Sequence, residues 1–418
     1  MDVLVVGGGG REHSICWKLR QSPRLNKLYC APGNGGISEI AECVDIGPTD
    51  IDGMVRFAKE KPVDFVVVAP DDPLSLGMVD AFEAAGIRAF GPSKNAAAIE
   101  SSKVFSKNLM KKYGIPTAQY EIFTDADAAK AHIRAKGAPI VIKADGLALG
   151  KGVVVAMDSE EALGAVDSMM LDKKFGLSGS RVVIEEYMTG PEVTVLAFTD
   201  GKTIIPMLSS QDHKRAFTGD LGPNTGGMGA FCPSPNYTDE IADTCMRTIF
   251  RPTIDALNNE GRTFKGVLYF GLMLTPKGPR VVEYNARFGD PEAQPILTLL
   301  KTDLLDIFEA TVDRRLSEID IQWRDGFSCC VVMASGGYPE KYETGYEITG
   351  IGNVPCDIIV FHAGTARVES SPGFVTKGGR VLGVTAAGGS LKEAANRAYE
   401  GVAHISFYNA HYRTDIGY

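Results

Sequence analysis

The chain has 418 residues, enough for two to four domains and a sizeable packed interior. Hydrophobic residues make up 44% and charged residues 23%, so neither a disordered nor a fibrous chain is indicated. Lys and Arg total 43 and Asp and Glu 52, a formal charge of −9 that argues against a broad nucleic-acid-binding face. It does not argue against phosphate ligands, because a phosphate feels the local field. Eight cysteines are scattered without a CxxC pair, and adjacent Cys329 and Cys330 cannot easily bridge or chelate, so reduced, apolar thiols are expected. No basic segment followed by a long apolar one opens the sequence, and no apolar run nears the ~20 residues of a membrane span. A cytoplasmic location, with no membrane or nucleic-acid partner, is the expectation.

The first ~95 residues read as short buried strands (Val3 to Val6, Asp64 to Ala69) alternating with helices (Arg11 to Arg20, Val55 to Lys61, Met78 to Ala85). That pattern predicts a parallel sheet covered on both faces. A second region starts near Ser101. Its helix Lys103 to Tyr113 stops at Gly114-Ile115-Pro116, and Thr124 is the expected cap of a helix reaching Lys136. The strand Ile140 to Lys143 runs into a glycine-rich stretch, Ser159 is the expected cap of the next helix, and Arg181 to Glu186 is strand-like. Gly266 to Asn285 reads as a hairpin turning at Pro276 to Pro279. A strand-rich unit from about Gly326 ends in a helix, Leu391 to His404. The expected divisions are residues 1–100, 101–325 and 326–418.

Gly7 to Gly10, followed by Arg11 and Glu12, turns from a strand into a helix, where backbone N–H groups can accept phosphate. Glu12 stands where a dinucleotide fingerprint needs its third glycine, which disfavours nicotinamide binding. A ligand-free turn stays open as a reading. Gly33-Asn34-Gly35-Gly36 is a second such turn, placed to face the first across the carboxyl ends of the sheet. Lys143 ends a strand, and Ala144 to Val153 (ADGLALGKGV) can close over phosphates, although no Walker GK[ST] is present. Lys143 and Lys103 are candidates to neutralise those phosphates. Glu185-Glu186-Tyr187-Met188, with Glu192 beyond Gly190-Pro191, offers either an adenine-reading linker or merely solvated acids.

The strongest constellation is Val281 to Glu292 (VVEYNARFGDPE). Strand alternation puts Glu283 and Asn285 on one side, where two oxygen donors can share Mg²⁺-like ions. Arg287 can meet a transferring phosphoryl group from the same side. Gln211 to Arg215 adds acid, imidazole and cations, and Asn224 to Gly229 adds a backbone cradle. His213 is as readily structural as functional, and no Ser-His-Asp or Cys-His set can be assembled.

Together these residues resemble the phosphoribosylamine–glycine ligase (glycinamide ribonucleotide synthetase) family of the ATP-grasp superfamily. The likeness runs through GGGGREH (Gly7 to His13), GNGG (Gly33 to Gly36), KADGLALGKGV (Lys143 to Val153), QDHKR (Gln211 to Arg215), GPNTGGMG (Gly222 to Gly229), NARFGDPE (Asn285 to Glu292) and HAGT (His362 to Thr365). It implies a Rossmann-like N-terminal domain of α/β type, an ATP-grasp core of two α+β lobes with a mobile lobe at about 120–190, and a small strand-rich C-terminal domain. ATP phosphates would be held by Lys103, Lys143, Gly150, Lys151 and Gly152. Glu185, Glu186, Tyr187, Met188 and Glu192 would hold adenosine, and Glu283 and Asn285 would bind Mg²⁺ or Mn²⁺. Arg287, Asp212 and Lys214 would contact the reacting groups. Gly8, Gly9, Arg11, Asn34, Gly35, Gly36, Asn224, Thr225, Gly226 and Asp290 would bind substrate, glycine or 5-phosphoribosylamine. A monomer is favoured over a weak dimer.

Three departures stand out. Asp71 replaces the family's longer acid, which weakens the expectation of a ribose contact there. Ser101 replaces a common glycine. Gly271-Leu272-Met273 lacks the carboxylate that many ATP-grasp enzymes carry, which leaves a second ion to phosphate oxygens and water. Another ATP-grasp enzyme, such as one like biotin carboxylase, would share 101–313 but lack the paired turns and QDHKR. A regulatory nucleotide-binding protein would be expected to lose Glu283, Asn285 or Arg287, and all three are present.

Overall fold

The computed structural model describes residues 1–147, 152–172, 179–368 and 373–418. In it the first apolar run becomes the strand Asp2–Gly7, at the centre of a five-stranded parallel sheet. Lys27–Pro32 and Glu42–Cys43 lie on one side of that strand, Phe65–Val68 and Arg88–Phe90 on the other. Val3 and Val5 enter a core with Ile15 and Leu19 of the helix Gly10–Leu19. Leu4 and Val6 enter another with Met54 of Ile51–Glu60 and Phe82 of Met78–Ala84. This two-sided burial is what a continuous apolar strand run implies.

The helix Lys103–Tyr113 starts where Ser102 caps the N–H of Phe105 at 3.1 Å, and it ends at Gly114 with φ +67°. Two caps fall one residue from expectation. Asp125, not Thr124, accepts the Ala128 N–H at 2.8 Å, and Asp158, not Ser159, accepts that of Glu161 at 2.8 Å. In both places a carboxylate adjoins the hydroxyl and is the stronger partner for a helix's positive end.

Residues 120–186 form a lobe with its own four-stranded antiparallel sheet, ordered Tyr120–Phe123, Val182–Glu186, Ile140–Ala144, Val153–Ala156. Its helices Ala126–Lys136 and Ser159–Val166 cover one face, with Ile133, Ile142, Ala162 and Ile184 in a separate core. The second lobe is the antiparallel sheet Ile204–Pro206, Glu192–Thr199, Gly266–Thr275, Gly278–Asn285. Its Val195 and Leu268 share a core with Leu4 and Val6, while Leu196 and Phe198 share one with Val3 and Val5. The second lobe is thereby fixed to the N-terminal sheet.

The C-terminal sheet pairs Phe327–Ala334 with Arg380–Gly388, which pairs in turn with Ile359–His362. Gln211–Asp212 and Gly229–Cys232 complete its far edge. This edge carries the QDHKR run towards the second lobe. Among the described residues no helix is long and apolar enough to cross a membrane.

Candidate active site

The strand Gly278–Asn285 is built around one irregularity. Gly271 pairs with Glu283 and Leu272 with Val281, which leaves Val282 without an opposite residue. A bulge of this kind resets side-chain alternation. Val281 and Tyr284, three apart, are therefore both buried, while Glu283 and Asn285 share the other face. Gly271 fits this register, because a Cβ there would come 3.1 Å from Cγ of Glu283. A side chain at 271 would crowd the carboxylate opposite.

Around Glu283 the charges are basic. Desolvation pushes its carboxyl up, but Lys214, Lys143 and Lys103 outweigh that and hold it below the usual carboxylate range. Lys214 Nζ is 3.9 Å from Glu283 and 2.8 Å from Glu192. Arg287 reaches Asn285 Oδ1 at 3.5 Å, so these side chains gather in one place. An acid and an amide offering hard oxygens suit a divalent cation. Among the described residues no group of three or more His, Cys, Asp or Glu could hold a metal unaided. Phosphate oxygens and water would have to complete the shell.

Lys143, at the end of Ile140–Ala144, donates to the Val282 carbonyl at 3.0 Å and pairs with Glu185 at 3.0 Å. Lys107 pairs with the other oxygen of Glu185 at 2.9 Å, and all three side chains are buried. Burial pushes the Glu185 carboxyl up, yet the two ammoniums together hold it below its ordinary value. Glu185 is thus ion-paired to two lysines, while its buried Oε1 has no hydrogen-bond partner among the described residues. Glu186, exposed, is likewise engaged, by the Gln119 N–H at 3.0 Å and Arg280 at 2.7 Å. Tyr187, exposed, and Met188, half-buried, follow the strand end, and Glu192 holds Lys214. Lys103 donates to the Gly146 carbonyl at 2.9 Å, and desolvation lowers its ammonium pKa. The Gly152 carbonyl accepts the Ala144 N–H at 2.8 Å, which sets Gly152 beside the strand end. Gly150 and Lys151 lie outside the described residues.

Asp212 stands beside Lys214, and desolvation, reinforced by Glu292, Glu192 and Glu283, raises its carboxyl to about 7 despite that lysine. Asn224 is in register with Arg215 on a short hairpin. The Thr225 hydroxyl donates to the Lys214 carbonyl at 2.8 Å and accepts from the Gly227 N–H at 2.9 Å. The Gly226 N–H goes to the Tyr338 hydroxyl at 3.1 Å. Thr225 and Gly226 therefore shape the loop, and the backbone donors expected of a cradle there are already engaged. Asp290 accepts from Gln294 at 2.8 Å and pairs with Arg380 at 3.3 Å, which outweighs its desolvation and keeps it ionised.

The two N-terminal turns do face each other. A Cβ on Gly8 would lie 2.4 Å from the Gly33 carbonyl oxygen, so only glycine permits this approach. Their polar groups, however, are largely spent within the fold. The Gly9 N–H donates to Glu12 at 2.6 Å. Arg11 pairs with Glu12 at 2.5 Å and donates to the Phe288 carbonyl at 3.2 Å. Asn34 donates to the Gly8 and His362 carbonyls at 2.9 and 2.8 Å and accepts from the N–H groups of Gly36 and Ile37 at 3.0 and 2.9 Å. The Gly35 N–H donates to the Thr365 carbonyl at 3.1 Å. Asn34 and Gly35 thus form a seam with HAGT, and Asn34 takes the Gly36 N–H. His13 Nδ1 accepts the His362 N–H at 2.8 Å, and burial pushes the two imidazoles down to about 3 and about 4, so both stay neutral.

Residues 1–100, 101–293 and 328–418 match, in that order, the N domain, the ATP-grasp (A) domain and the C domain of phosphoribosylglycinamide synthetase. The chain belongs to the phosphoribosylglycinamide synthetase family. Curated relatives named phosphoribosylamine–glycine ligase include that of Halalkalibacterium halodurans, 51% identical over 417 residues covering 100% of this chain and 96% of that one. The Rhizobium meliloti relative is 49% identical over 418 residues, covering 100% and 98%. The crystal structure of phosphoribosylamine–glycine ligase from Thermotoga maritima superposes with a TM-score of 0.84 at 32% identity, covering 99% of this chain and 100% of that one. A biotin carboxylase from Campylobacter jejuni superposes with a TM-score of 0.75 at 13% identity over 98% and 92% of the two chains, a likeness of fold alone.

Within this member of the family, several residues at the site escaped the sequence reading. Glu100 pairs with Arg287 at 3.1 Å, Lys107 braces Glu185, and Arg380 donates to the carbonyls of Gly226 and Asp290 at 2.7 and 2.6 Å. Lys107 lies one helical turn from Lys103, a spacing that could have flagged it. Glu100 and Arg380 sit far from their partners in sequence and carry no local signal.

Proposed function

We propose that this chain is an ATP-dependent ligase that joins glycine to 5-phosphoribosylamine, giving glycinamide ribonucleotide, ADP and phosphate in purine biosynthesis. The observation that supports this best is the full-length family match together with Glu283 and Asn285 on one face, ringed by Lys103, Lys143, Lys214 and Arg287. The divisions at 100/101 and 325/326 and a cytoplasmic, monomeric state belong to the same reading.

In this mechanism the glycine carboxylate attacks the γ-phosphorus of ATP. The bond from that phosphorus to the bridging oxygen breaks, and ADP leaves. The amine of 5-phosphoribosylamine then attacks the acyl carbon of glycyl phosphate and expels phosphate. Carboxylate is a poor electrophile, and phosphorylation supplies its leaving group. Lys103 and Lys143 balance phosphate charge, Tyr187 and Met188 border the adenine, and Glu283 and Asn285 would hold Mg²⁺ or Mn²⁺. The ion supplies charge neutralisation on phosphate oxygens when bound. Arg287 and Lys214 meet charge developing on the reacting groups, and positioning does most of the work. No protein nucleophile is required, in keeping with the absence of a recognisable triad. The test is ADP release from ATP with glycine and freshly made 5-phosphoribosylamine each omitted in turn. Full turnover is expected only with both; turnover on bicarbonate instead would overturn the assignment.

A further inference from the structure

Glu100 lies in none of the motifs above. It is buried near the end of the helix Lys94–Ser101, which Ser93 caps. Its two carboxylate oxygens do separate work. Oε2 accepts the backbone N–H of Ala286 at 2.7 Å, and Oε1 stands 3.1 Å from Arg287 Nη2. Ala286 is the link between Asn285 and Arg287, so one side chain grips both the guanidinium and the backbone that spaces it from the cation-facing amide.

The rest of the guanidinium is also held, with one exception. Nη1 donates to the Phe288 carbonyl at 3.2 Å, and Asp71 is 3.9 Å from Nη2. Arg287 Nε is buried with no hydrogen-bond partner among the described residues. A buried cationic donor left unmet is costly, more so than a neutral one. Two of its nitrogens are thus held, and the whole group stays charged, which suits it to meet an anionic ligand. Burial, with Asp71 adding to it, pushes the Glu100 carboxyl up, and the facing Arg287 guanidinium opposes that.

We propose that Glu100 is a positioning residue, which fixes the Arg287 guanidinium and its spacing from Asn285 so that the guanidinium meets the reacting groups. This rests on the assignment of Arg287 to the reacting groups. An unheld arginine spreads over many rotamers, and a misplacement near 1 Å can cost about 100-fold in rate.

The test is a double-mutant cycle on kcat/KM for glycine at saturating ATP, with Glu100→Gln, Arg287→Lys and the pair, alongside thermal unfolding of each. Glu100→Gln is expected to lower kcat about 10–100-fold with KM for ATP changed less than about threefold. In the Arg287→Lys background the same change should cost under about threefold, because the group it acts through is already altered. Glu100→Asp, which keeps the charge, should recover part of the loss. Additive losses, or activity that falls only in step with the folded fraction, would overturn the role of Glu100 alone. Near-normal kcat in Arg287→Lys and Arg287→Ala would instead remove Arg287 from the reaction, and Glu100 with it.

Discussion

Lys143 donates to the carbonyl of Val282 at 3.0 Å, which ties the small lobe to the bulge in the strand that carries Glu283. The same ammonium is positioned from behind by Glu185. Lys143→Met is expected to raise KM for ATP about 10–100-fold, the size of one charged hydrogen bond of ~1.5–3 kcal/mol. Lys107 still accompanies Glu185 in that variant, so the protein should fold. A KM for ATP within threefold of the parent would make Lys143 purely structural.

Glu283→Ala should lower kcat by at least about 100-fold, since several kcal/mol of charge stabilisation depend on the ion that it would help to hold. Titration with Mg²⁺ or Mn²⁺ is the check. Recovery of near-normal turnover at high metal would show that the carboxylate is not a needed ligand.

Asp212 gives a pH signature. Its carboxyl is raised to about 7 by desolvation, against about 4 in an unfolded chain. The folded state therefore binds the extra proton, and the stability this contributes is full below about pH 4 and lost as pH rises through 7. Asp212→Asn should gain stability relative to the parent between pH 5 and pH 8. Urea midpoints at those two values measure it, and a difference that does not vary with pH would contradict the assignment.

Asn34→Ala should destabilise the protein by about 1–3 kcal/mol, because the carbonyls of Gly8 and His362 and the N–H groups of Gly36 and Ile37 lose their partner. Asn34→Asp would keep the accepting side and lose the donating one, and should fall between. Equal midpoints for all three proteins in urea would refute the structural role.

The chain's alternation of apolar runs was enough to read the parallel sheet, the Gly266–Thr275 and Gly278–Asn285 hairpin and the shared face of Glu283 and Asn285, because those depend on neighbours in sequence. The bulge at Val282 was not readable, since a register shift is set by the partner strand. The two lysines that pair with Glu185 were not readable, because Lys107 and Lys143 lie on other elements and only folding brings them to it. The carbonyls of Gly8 and His362 that accept from Asn34 were not readable either, because they lie far from it in the chain. The two caps differ for a local reason: an aspartate stands beside each hydroxyl and takes the helix N–H.

The seam that joins Asn34, Gly35 and His13 to residues 362–365 has a bearing on biosynthesis. On a ribosome, where N-terminal units ordinarily fold first, the parallel sheet could assemble early. Its opening turn, though, would wait for a stretch translated more than three hundred residues later. A polypeptide cut short before that point would keep every strand of its first sheet and still lack a finished mouth to the cleft.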